Sequence, residues 1–167
     1  MKYEGRVHKI GDHIDTDQII PARYLGSLDP KVLAEGCFFN LIPQFATTVK
    51  PGDILVAGDN LGCGSSREHA PIAIKSTGIS CVVARSFSRI FYRSSINIGL
   101  PAVVCPEAVD FAQQGAPMKV DFDRGVVESG GKSAAFAPFG PSILAIIAAG
   151  GLVPFMSQRL AREGARA

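Results

Sequence analysis

Gly52-Asp53-Ile54-Leu55-Val56-Ala57-Gly58-Asp59-Asn60-Leu61-Gly62-Cys63-Gly64-Ser65-Ser66-Arg67-Glu68-His69-Ala70-Pro71 is the stretch that decides the fold. Ile54 to Ala57 is an apolar run bounded by turn residues and too short for a helix, which predicts a buried strand. A glycine-rich loop over 58–66 follows, then a helix to about Thr77, stopped at Gly78. Cys81-Val82-Val83-Ala84 repeats the buried-strand pattern. Strand, loop, helix and strand in that order form the unit of a sheet covered on both faces.

The same alternation continues outward. Phe87 to Ile98 is an amphipathic helix closed by Gly99, Pro101 to Cys105 a buried strand, and Glu107 to Gln114 a helix ended by Gly115. Residues 118–122 and 125–128 predict a hairpin across Asp123-Arg124, and 133–137 a further strand. Helices are expected over 141–149 and 153–162, with residues 163–167 frayed. Towards the N-terminus, residues 3–10 read as a strand and 11–17 as a polar loop. A short helix over 21–25 follows, then one opened by Asp29-Pro30 and running to about Gly36. The expectation is an α/β fold with a mixed sheet, in one domain over 1–167.

Composition narrows the function. The 167 residues are 47% hydrophobic and 19% charged, with a mean hydropathy of +0.21, which excludes a disordered chain. The net charge of +2 comes from Arg159, Arg162 and Arg166 set against Glu163, so no basic face runs through the fold. Nucleic acid is therefore not an expected partner. The apolar run from Ile143 to Leu152 is too short to cross a bilayer, and Met1 to Arg6 lacks the apolar core of a signal peptide. No membrane partner is expected, and the cytoplasm is the expected compartment. Cys37, Cys63, Cys81 and Cys105 contain no C-x-x-C spacing and read mainly as core residues.

Chemistry concentrates in the 58–69 loop. It leaves the carboxyl end of a strand, where α/β sheets place ligands. Glycines let a ligand approach the backbone, and Ser65, Ser66 and Arg67 stand where a helix begins, which suits an anion gripped by a guanidinium fork. Ser65-x-x-Glu68 also has capping-box spacing, which alone would explain both residues. Glu68 and His69 fit helix-end packing. Cys63 stands where a nucleophile near a helix N-terminus could stand, but nothing identifies a partner base. The loop lacks the lysine of a nucleotide P-loop. Asp15 and Asp17, taken alone, are turn residues or caps.

Beyond this point a resemblance carries the reading. Residues 11–25 (Gly-Asp-His-Ile-Asp-Thr-Asp-Gln-Ile-Ile-Pro-Ala-Arg-Tyr-Leu) and 58–71 are similar to the two signatures of small subunits of 3-isopropylmalate dehydratase, in the aconitase superfamily. Residues 85–91 and 150–154 also match. The resemblance implies a swivelling β/β/α domain like the aconitase C-terminal domain. It implies a hydro-lyase of leucine biosynthesis that isomerises 2-isopropylmalate to 3-isopropylmalate, or the homoaconitase or 2,3-dimethylmalate counterpart. A large subunit would carry the [4Fe-4S] cluster in a heterodimer, and this chain would bind no cofactor. The substrate would be a small hydroxy di- or tricarboxylic acid. Ser65 would be the base and Arg67 the carboxylate grip, assisted by Ser66 and the backbone at Gly64, with Asp17 an acidic group at the site. Tyr24, Leu25, Gly26 and Ser27 would read the variable part of the substrate. A non-catalytic anion-binding module, with Ser65 only a cap, is the alternative of a different class.

Overall fold

Alternation along the central strands explains why the sheet is covered on both sides. The computed structural model describes residues 1–164. Strands β1 (Lys2–Lys9), β2 (Ile54–Ala57), β3 (Cys81–Ala84) and β4 (Ala102–Val104) are parallel, and β5 (Pro117–Asp121), β6 (Val126–Ser129) and β7 (Lys132–Ala135) are antiparallel. Together they form one sheet in the order β4-β3-β2-β1-β5-β6-β7. Leu55, Ala57, Val82 and Ala84 point to one face; Ile54, Val56, Cys81 and Val83 point to the other.

The first face is covered by helices α1 (Thr16–Ile19), α2 (Pro30–Gly36), α3 (Phe45–Thr48), α4 (His69–Ser76) and α5 (Arg89–Asn97). They contribute Ile19, Leu33, Phe45, Ile74 and Phe91 to its core. The second face is closed by α6 (Pro106–Phe111) and by Val120, Phe122 and Val127 of the antiparallel half. The β/β/α arrangement expected from the sequence is the one observed. Helices α7 (Pro141–Ala148) and α8 (Leu152–Gly164) follow the sheet. No single helix among the described residues is long and apolar enough to cross a membrane.

Three expectations are corrected. The helix expected over 21–25 is only a 3-10 turn, Ala22–Tyr24. The helical segment lies earlier, at α1, where Asp15 accepts from the Gln18 amide and the Gln18 side chain accepts from the Asp15 amide. Helix α6 stops at Phe111 rather than Gln114, because Lys9 Nζ caps the Val109 and Ala112 carbonyls and Gln114 turns to accept from the Lys9 amide (2.6 Å). The Ser65–Glu68 capping box does not form. Helix α4 begins at His69 with Glu68 as its cap residue, and no side chain caps it. Helix α8 extends to Gly164, and residues 165–167 of the tail expected to fray lie outside the described residues. Asp29, by contrast, caps α2 as its Asp-Pro pair predicts.

Candidate active site

Three loops leave the carboxyl ends of neighbouring strands and extend the sheet's backbone pairing past its last residues. The loop after β1 meets the loop after β2: His13 donates to the Asp59 carbonyl (2.7 Å), Gly62 to that of Ile14 (2.8 Å) and Thr16 to that of Cys63 (3.0 Å). On its other side the β2 loop meets the β3 loop: Leu61 donates to the Ser86 carbonyl (3.1 Å) and Ser88 to that of Leu61 (2.9 Å). The Ser88 hydroxyl adds a bond to the Gly62 carbonyl (2.6 Å). Ser86 accepts from the Asn60 amide (2.8 Å) and donates to the Asp59 carboxylate (3.1 Å). A central loop held from both sides is a rigid mount for whatever side chains it carries.

Two glycines set its path. At Gly62, φ is +78° and an added Cβ would stand 2.2 Å from the Phe91 ring, so only glycine fits. At Gly64, φ is +89°, which turns the chain so that Ser65 doubles back on α1. The Ser65 hydroxyl then lies 3.0 Å from that of Thr16, which also reaches the Ser65 carbonyl (3.1 Å). This long-range contact takes the place of the local cap that the spacing to Glu68 predicts.

Arg67 forms an ion pair with Asp17, joining α1 to the β2 loop. The pair is uneven: Asp17 is 63% exposed and Arg67 only 23%. Nη1 of Arg67 is buried against the Asp17 carboxylate. A guanidinium carries five N–H donors in a planar fork, so one held by Asp17 can still receive an incoming carboxylate. Gly64, Ser65 and Ser66 are exposed beside it. The site is thus an open surface. The two largest grooves described, about 370 and 410 Å³, lie elsewhere, along α8 and between β1 and α3.

The structure therefore brings Ser65, Ser66, Gly64, Arg67 and Asp17 together, and it separates the roles of the two aspartates. Asp15 is spent as the cap of α1, and Asp17 pairs with Arg67. The Asp15-x-x-Gln18 spacing was the available signal for that division. Residues 24–27 are not drawn into the cluster: Tyr24 packs on Gly36 and beneath the Arg23 guanidinium, and Leu25 packs on the core. Ser27 accepts from the Asp29 amide (3.0 Å). No hydrogen bond or ion pair among the described residues links 24–27 to Ser65 or Arg67. The residue that sequence reasoning leaves without a chemical role is Thr16, a buried side chain 49 positions from its partner.

All four cysteines are free, and Cys37, Cys81 and Cys105 are buried. Burial pushes their thiols up and away from the thiolate that metals require, most strongly at Cys37 and Cys81. Among the described residues no three His, Cys, Asp or Glu side chains are grouped to hold a metal ion.

A family model described as the aconitase C-terminal domain matches residues 38–108. The chain is 52% identical to a 3-isopropylmalate dehydratase small subunit of Caldicellulosiruptor saccharolyticus, over 98% of this chain and 95% of that relative. It is also 52% identical to a 2,3-dimethylmalate dehydratase small subunit of Eubacterium barkeri, over 94% and 98%. A solved structure of 3-isopropylmalate dehydratase from Methanocaldococcus jannaschii superposes with a TM-score of 0.94 at 41% identity, covering 100% of both chains.

Proposed function

Because the chain belongs to the family of 3-isopropylmalate dehydratase small subunits, which carry the aconitase C-terminal domain, we propose that it supplies the proton-transferring, carboxylate-binding half of a hydro-lyase acting on 2-isopropylmalate in leucine biosynthesis. The observation that carries this reading is the Arg67 guanidinium, anchored by Asp17, beside the exposed residues Ser65 and Ser66.

Arg67 grips a substrate carboxylate by its planar fork, and Asp17 holds the guanidinium in place. The gripped group fixes the neighbouring carbon against Ser65, whose oxygen takes the proton alpha to the carboxylate. The C–H electron pair becomes the new C=C bond as the hydroxyl departs, and Ser65 returns the proton when water adds back at the neighbouring carbon. Ser66 and the backbone N–H groups around it face the same open surface and steady the carboxylate. The donor set of this chain does not fit a [4Fe-4S] cluster, which we assign to a large subunit. There it would supply Lewis-acid help to the leaving hydroxyl.

The relative from Eubacterium barkeri is as similar as the isopropylmalate enzymes, so 2,3-dimethylmalate is the second substrate to weigh. Co-expression with the large subunit, anaerobic purification and assay on 2-isopropylmalate, 2,3-dimethylmalate and a homoaconitate-type tricarboxylate decide among them. The expected result is turnover with 2-isopropylmalate preferred, and none from the isolated chain. Turnover of none of the three by the cluster-loaded complex would overturn the proposal. So would iron and sulfide bound to the small chain alone.

A further inference from the structure

We infer that Thr16 is the positioning residue for Ser65, a hydroxyl switch that holds the serine proton in one state and steadies the serine oxyanion in the other. The inference rests on Ser65 being the proton-transferring group.

The geometry is that of one hydroxyl between two oxygens of the same residue. Thr16 Oγ1 lies 3.1 Å from the Ser65 carbonyl oxygen and 3.0 Å from Ser65 Oγ. A hydroxyl has one hydrogen, and a carbonyl oxygen can only accept. When Thr16 donates to the Ser65 carbonyl, the second contact requires Ser65 to donate to Thr16. The serine hydrogen is then turned inward, and its lone pairs face the open surface where Ser65 is exposed. When Ser65 has passed its proton to the substrate carbon, its oxyanion can only accept. Rotation about a single C–O bond then turns the Thr16 hydrogen from the carbonyl to Oγ. No proton leaves Thr16 in either state.

Thr16 is built to hold that position. It is 2% exposed, and it opens the capped helix α1. Its amide donates to the Cys63 carbonyl (3.0 Å), and its carbonyl accepts from Ile20 (3.0 Å). β-Branching restricts its χ1, so the hydroxyl rather than the carbon frame is what moves. Water cannot replace it from the inner side, because the residue is buried.

The test uses the reconstituted two-subunit enzyme with Thr16→Val, Thr16→Ser and Ser65→Ala. Valine keeps the shape and removes the hydroxyl. Losing a hydrogen bond to a charged oxygen should lower kcat about 10- to 150-fold with KM little changed. The pH at which kcat levels off should rise, because the serine oxyanion has lost a donor. Thr16→Ser should restore most of the rate and the parent pH profile. Should Thr16→Val fail to fold or assemble, Thr16→Ala against Thr16→Ser makes the same comparison. Parent kcat and profile in the hydroxyl-free variant would overturn the inference, as would equal impairment of the serine variant, which would mark the methyl group as the needed part. Ser65→Ala separates the two layers: if it retains turnover, the assignment of Ser65 falls, whereas if it is inactive and Thr16→Val is normal, only the switch falls.

Discussion

Replacing Arg67 by lysine tests the carboxylate grip while keeping its charge. Two quantities can be worked from the structure. The first is stability. The Arg67–Asp17 pair links α1 to the β2 loop, but Asp17 is 63% exposed, so solvent screens the attraction and its loss should cost about 0–1 kcal/mol. For a chain of this length that is a melting-point drop of no more than about 4 °C. The second is binding. Lysine can supply a point charge but not the two parallel N–H donors that meet a carboxylate. Loss of one charged hydrogen bond, about 1.5–3 kcal/mol, lowers kcat/KM roughly 10- to 150-fold. Steady-state kinetics on the reconstituted enzyme should show that loss by one common factor for every accepted hydroxy acid, since all present the gripped carboxylate. Melting of the isolated chain measures the stability arm. An unchanged kcat/KM would refute the reasoning. So would a melting-point loss large enough to account for the activity, because Arg67 would then be a structural tie.

Ser65→Ala removes one partly buried hydrogen bond and no helix cap, so it should cost at most about 1.5 kcal/mol while kcat falls about 10²–10⁴-fold; thermal melts beside turnover check the split. Gly62→Ala must accept φ of +78° and a Cβ 2.2 Å from the Phe91 ring, and chemical denaturation should show a loss of about 2–5 kcal/mol. Burial by itself would lift the Asp53 carboxyl, but the Lys50 amide, the His8 side chain and the Arg6 amide together bring it below its ordinary value. Its contribution is therefore whole above about pH 4 and is lost as pH falls through the lowered value. Asp53→Asn should cost at least about 2 kcal/mol at neutral pH and flatten the acid limb of a stability-against-pH curve.

What could be read in the sequence, and what could not, divides along the range of the interactions. β2 and β3 were legible because four-residue apolar runs between turn residues have few other uses, and α2 because Asp29-Pro30 is a start signal that acts within one turn. Two capping-box spacings flank the site, Asp15–Gln18 and Ser65–Glu68, and only the first is used. The second is overruled by the turn at Gly64, which carries the Ser65 hydroxyl to Thr16. That partner is far along the chain and becomes a neighbour only because β1 and β2 pair in parallel. The Arg67–Asp17 contact has the same origin. Residue types and loop position thus pointed to an anion site, while the contacts that give each side chain its role depend on strand pairing.

The open form of the site bears on how a serine could act as a base at all. A serine hydroxyl in water is far too weak an acid to be deprotonated near neutral pH. The aids visible in this chain are the neighbouring cation Arg67 and the Thr16 hydroxyl. Each is electrostatic, and such aid is worth about fourfold more at an effective dielectric near 20 than in bulk water. Gly64, Ser65 and Ser66 are exposed, so in the separate chain water screens both around the serine oxygen. If Ser65 is the base, the missing ingredient is the exclusion of water, which a docked large subunit with substrate beneath it would provide. Division of the site between two chains then governs proton transfer as well as substrate capture: Ser65 becomes basic only where the dehydration can be completed.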